Sequence, residues 1–68
     1  MQYDISLILD ASWCSPRAGK WRFDLRSYGA NARRTARALG MVVRGGVAYL
    51  TDSTCDTAER ILEARGIA

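Results

Sequence analysis

Histidine is absent from this chain of 68 residues, and proline occurs once, at Pro16. Without histidine the commonest general base is missing, together with every triad or zinc site that uses an imidazole. The two cysteines, Cys14 and Cys55, form no CxxC pair and are too few for a disulfide scaffold. They are either one bridge in an oxidising compartment or two reduced thiols in a cytosolic protein. The longest apolar run falls far short of a bilayer span. The opening residues MQYDISLILDA carry no basic stretch, and Asp4 and Asp10 bracket the apolar part, so no export signal is read there and the cytoplasm is the expected location. No P-loop frame surrounds Gly45-Gly46, and no cluster of metal-ligating residues stands out. No cofactor and no catalytic residue is therefore expected.

Lysine is nearly absent as well: nine of the ten basic residues are arginine. Net charge is only +3, but residues 17–44 hold eight basic residues against the single acid Asp24. The flanking stretches are mildly acidic. Arginine's planar fork suits carboxylates and phosphates. A chain of this length makes one domain, residues 1–68. It hides only ~60% of the surface its unfolded form exposes, so a partner adds much to its stability.

Tyr3, Ile5, Leu7, Leu9 and Ala11 alternate with Asp4, Ser6, Ile8 and Asp10, which predicts a half-buried strand. A loop follows from Cys14 to Gly19. Trp21, Phe23 and Leu25 alternate with Arg22, Asp24 and Arg26, and this second strand is expected to pair with the first, setting Asp4 and Asp10 across from its arginines. Asn31 is a candidate N-cap for a helix that buries Ala32, Thr35, Ala36 and Leu39 and shows Arg33, Arg34 and Arg37 to solvent, with Gly40 ending it. MVVRGGVAYL reads as a hairpin turning at Gly45-Gly46, with Arg44 facing Val47, Val43 facing Ala48 and Val42 facing Tyr49. Ser53 and Asp56 suggest a capping box for a last helix with the stripe Cys55, Ala58, Ile61 and Leu62, closed at Gly66 with Ile67 folding back on Leu62.

The expected fold is α+β in the order β-β-α-β-β-α: an antiparallel sheet of about four strands with two helices on one face. The core side would take Tyr3, Ile5, Leu7, Leu9, Trp21, Phe23, Leu25, Met41, Val43, Ala48 and Leu50. The open side would show Ile8, Val42, Val47, Tyr49 and Tyr28 among Arg22, Arg26 and Arg44. That is apolar for a solvent face. It suits a homodimer through the open sheet, or a platform on which bases stack and phosphates are held.

The stretch LILDASWCSPR resembles the active-site turn of the thioredoxin family, with Trp13, Cys14 and Pro16 at matching positions. The resemblance implies a strand leading into a redox cysteine, whose pKa Arg17 and Lys20 would lower. It covers only Leu7 to Arg17. Arg17 replaces the second cysteine, no further proline exists for the family's cis-proline, and the chain is too short for that fold. An ordinary loop cysteine fits these departures. Cys55 likewise fits an inert thiol on an apolar stripe. A helix-turn-helix does not fit, because a hairpin and not a recognition helix follows Gly40.

Two functions fit these features. One is a non-catalytic binding protein, a small regulator or inhibitor of the phage or mobile-element type. It would dock on a protein or nucleoprotein machine such as a CRISPR effector. Arg33, Arg34, Arg37, Arg22, Arg26 and Arg44 would meet acidic groups around Val42 and Tyr49. The other is a nucleic-acid-binding module that contacts DNA or RNA phosphates through Arg33, Arg34 and Arg37, with Tyr49 or Tyr28 stacking a base.

Overall fold

Asp4 begins a helix and not a strand. In the computed structural model, which describes residues 2–13 and 21–67, helix α1 runs from Ile5 to Trp13. The Asp4 carbonyl accepts the first helical bond, from Ile8 N at 3.2 Å, and its Oδ1 accepts from Leu7 N at 3.2 Å. This is an aspartate N-cap, worth ~1 kcal/mol. Leu7, Ile8 and Ala11 are the buried positions, a spacing that belongs to a helix stripe. Two neighbours decide between the periods. A strand would bury Leu9 and expose Ile8, yet Ile8 is 0% exposed and Leu9 37%. The strand that the thioredoxin-like stretch implied is therefore a helix as far as Trp13, while Cys14, Pro16 and Arg17 lie outside the described residues, as does the Cys14–Gly19 loop.

The sheet has three antiparallel strands in the order β1-β3-β2. Strand β1 is Arg22–Asp24, β2 is Val42–Arg44 and β3 is Val47–Tyr49. The hairpin register is the expected one, Val42 with Tyr49, Val43 with Ala48 and Arg44 with Val47. Gly45 has a φ of 59° at the turn and Gly46 has no positive φ, so a single left-handed glycine makes the turn. With α1 helical, β1 pairs with β3: Arg22 with Tyr49, Phe23 with Ala48 and Asp24 with Val47. The expected strand over 21–26 is cut short because Asp24 Oδ1 accepts from Arg26 N at 3.0 Å and bends Leu25–Ser27 into a 3-10 turn. Phe23 and Leu25 are buried as expected, but Trp21 is exposed.

Helix α2 spans Ala32–Ala38 and α3 spans Thr54–Ala64. Both end in a Schellman arrangement. Gly40 N donates to Arg37 O and Met41 N to Ala36 O; Gly66 N donates to Glu63 O and Ile67 N to Leu62 O. Gly40 and Gly66 take φ values of 77° and 74°, which only glycine adopts cheaply. The N-termini differ from expectation. Neither Asn31 nor Ser53 makes a side-chain cap bond. Ser53 already has near-helical backbone angles, and the hydroxyl of Thr54 accepts from Thr51 N at 3.0 Å instead.

Among the described residues the architecture is thus α+β with three helices and a three-stranded sheet. Helix α1 packs on α3 and α2, and α2 packs on β2. Side chains from the three helices, β1 and β3 meet in one cluster that includes Leu7, Ile8, Phe23, Ala36, Ala48 and Leu62, and half-buried Val43 of β2 packs against it. The sheet therefore has one covered face.

Candidate functional site

Pleating puts Phe23 and Ala48 into the core and turns the flanking rows outward. One outward row is Arg22–Tyr49–Val42 and the other is Asp24–Val47–Arg44, each running across all three strands. Val42 and Tyr49 are exposed at 45% and 37%, and Val47 is half-buried. An apolar strip thus stands open between Arg22 and Arg44. Arg26 belongs to the same region but is engaged: its Nε donates to Asp24 Oδ1 at 3.1 Å and its Nη2 to Oδ2 at 3.3 Å. That pair lowers the Asp24 pKa, through the side-chain bond first, and raises that of Arg26.

Helix α2 carries the second group. Ala32, Thr35 and Ala36 are buried, and these small residues let the helix lie close to the core. Thr35 Oγ1 accepts from Asp4 N at 2.7 Å and donates to Asn31 O at 2.7 Å, which fixes the rotation of the helix. Arg33, Arg34 and Arg37 consequently face solvent and line one open depression. Arg37 also sits in the last turn, where a cation complements the helix dipole.

The two groups meet at the hairpin turn. Arg33 Nη2 donates to Gly45 O at 2.7 Å, and the Arg26 side chain passes 3.7 Å from where a Gly46 Cβ would stand. Arg44 directly precedes that turn. Arg33 therefore links the helix stripe to the hairpin turn that borders the sheet face.

Of the residues singled out from sequence, Arg22, Val42, Tyr49 and Arg44 share the open sheet face, and Arg33 ties α2 to it. Arg34 and Arg37 lie further along α2, and Arg26 is held by Asp24. Two candidates leave the surface. Ile8 is fully buried in α1. Tyr28 is half-buried, its ring set edge-on to Phe23 at 6.5 Å and its hydroxyl donating to Asp10 Oδ2 at 2.6 Å. Asp10 thus meets a tyrosine and Asp4 caps α1 and accepts from Gly29 N at 2.8 Å, so neither faces an arginine of β1. Sequence reasoning missed a second concavity, between α1 and α3, lined by Leu9, Trp13, Leu62 and Ile67 among others. The signal for it was hidden in the period of the first segment, because a strand puts Leu9 and Trp13 on the face of buried Leu7 and Ala11, whereas a helix turns them away from it.

Among the described residues no three histidine, cysteine or carboxylate side chains stand close enough to hold a metal ion. Cys55 Sγ donates to Ser12 O at 3.1 Å, and its pKa is pushed up by burial first and then by the charge of Glu59. A thiol so held is a poor nucleophile near neutrality. Among the described residues no helix is long and apolar enough to cross a membrane. No protein-family model, curated protein or solved structure matches the chain.

Proposed function

We propose that this chain is a non-catalytic, cytoplasmic binding protein that docks on an acidic surface of a protein or nucleoprotein machine. It fits a small regulator or inhibitor, of the kind mobile elements direct against host assemblies such as CRISPR effectors. The observation that supports it best is the Arg22–Tyr49–Val42 row beside Val47 and Arg44. Apolar centres rimmed by arginine are the composition of protein contact patches. A second copy is a poorer occupant of this face. Stacking two sheets face to face would bring like-charged arginines together, which costs specificity and affinity.

One observation favours a nucleic-acid ligand instead. Arg33, Arg34 and Arg37 line a single depression on α2, a spacing that can follow a phosphate backbone.

The experiment is a salt titration of binding to short labelled DNA and RNA, with Arg33→Ala, Arg34→Ala and Arg37→Ala beside the wild type. A steep salt slope that flattens by about one per lost arginine supports the nucleic-acid alternative. Negligible binding at low salt favours the protein partner. A pull-down from host extract with wild type and Val42→Asp then tests that directly. Partners retained equally by Val42→Asp would reject the sheet face as the docking surface. Sedimentation of the free protein reports any homodimer.

A further inference from the structure

Helix α1 spends Leu7, Ile8 and Ala11 on the core. Leu9 and Trp13, one turn apart, point elsewhere, into an open groove of about 490 Å³ between α1 and α3. Trp13 is 82% exposed and Ile67 48%. The α3 end closes this groove: the bond from Ile67 N to Leu62 O at 2.9 Å folds the last described residue back beside Leu62. A tryptophan held outward on a helix, with two aliphatic neighbours, is the composition of a contact site and not of an idle surface.

Among the described residues the charges that line the groove have one sign: Glu59 and Glu63, one turn apart on α3, line it, and no described basic residue does. The field extends to its end, where Glu59 and Asp56 add to burial in raising the Cys55 pKa. Apolar floor and carboxylate wall together define the complementary ligand: apolar side chains on one side and cations on the other.

We propose that the groove between α1 and α3 binds a basic amphipathic segment of a partner protein, whose apolar side chains cover Leu9, Trp13 and Ile67 while its lysines or arginines meet Glu59 and Glu63. This surface shares no residue with the arginine face, so it stands whether or not that face docks a partner. The chain then carries two docking surfaces of opposite charge, fit to bridge an acidic and a basic component.

Trp13 itself is the reporter. In a Trp21→Phe background it is the only tryptophan. The probe is a synthetic leucine–lysine peptide of about 18 residues, roughly five helical turns, with a leucine–glutamate peptide of the same pattern as control. The expected result is a saturable blue shift of Trp13 emission with the lysine peptide at micromolar concentration, and none with the glutamate peptide. Glu59→Gln with Glu63→Gln, checked for folding by circular dichroism, should weaken binding roughly three- to tenfold. The proposal is overturned if Trp13 does not shift, if both peptides bind alike, or if the paired glutamine variant binds as tightly as its parent. Trp13-dependent self-association in sedimentation would assign the groove to a second copy and also overturn it.

Discussion

Arg33 Nη2 reaches across 12 residues of chain to the Gly45 carbonyl at 2.7 Å, so an arginine of the helix stripe is also a strut under the hairpin turn. Its neighbours Arg34 and Arg37 are exposed on the same helix. The three are therefore not equivalent in the free protein. Arg33→Ala should lower stability to urea by about 0.5–1 kcal/mol, the net value of one exposed hydrogen bond. Arg34→Ala and Arg37→Ala should stay within ~0.5 kcal/mol of wild type. Equal effects for all three would mean that the strut contributes nothing. The comparison also guards the binding experiments, since part of any Arg33→Ala defect is loss of turn geometry.

Asp4 joins α1, the turn at Gly29 and α2. It caps α1 through Leu7 N, accepts from Gly29 N at 2.8 Å ahead of α2, and its own N–H donates to Thr35 Oγ1 in α2. Asp4→Ala removes the first two bonds and leaves the third, which is made by the backbone. We expect a loss of about 1–2 kcal/mol with reduced helical circular dichroism. Asp4→Asn, still able to cap, should recover much of it. If residues 5–13 were a strand, Asp4→Ala would leave the helical signal unchanged.

Ile8 and Leu9 give the sharpest test of α1. Ile8→Ala opens a cavity in the core and should cost about 2–4 kcal/mol, whereas Leu9→Ala, on the groove side, should cost under ~1 kcal/mol. Chemical denaturation of the two variants decides it, and a strand would reverse the order.

The spacing of Leu7 and Ala11 explains what the sequence concealed. Tyr3, Ile5, Leu7, Leu9 and Ala11 alternate cleanly, but Leu7 and Ala11 are also one helical turn apart, so the run satisfies both periods. The choice is made by tertiary structure: β3 already has β1 and β2 on its two sides, and the uncovered core calls for a helix. Asp4, three residues before Leu7, was the local clue, hidden as a polar member of the alternation. Elements set by local chemistry were legible. Gly45 pins the hairpin register, Gly40 and Gly66 end their helices, and alanine against arginine orients α2. The candidate site was legible residue by residue and not as an assembly. The row of Arg22, Tyr49 and Val42 depends on β1 pairing with β3, and the Arg33–Gly45 bond joins distant residues. No local pattern encodes either.

Cys55 supplies a prediction in pH. Burial raises its pKa above that of an ordinary thiol, and the nearby charges of Glu59 and Asp56 push the same way. In a Cys14→Ser background, its reaction with a disulfide reagent should be slow at neutral pH, and the rate should rise at a higher pH than for a small free thiol. The linkage has a definite sign. A thiol whose folded pKa is raised loses its proton more readily in the unfolded chain. Its contribution to stability is therefore whole below the unfolded pKa and lost as pH rises through the folded one. Glu59→Gln removes both a charge and the carboxylate that Sγ faces at 3.7 Å. It should move the reactivity profile back toward lower pH without reaching that of a free thiol, because burial, the larger cause, remains. A profile indifferent to Glu59→Gln would show that the carboxylates of the α1–α3 groove do not reach its end.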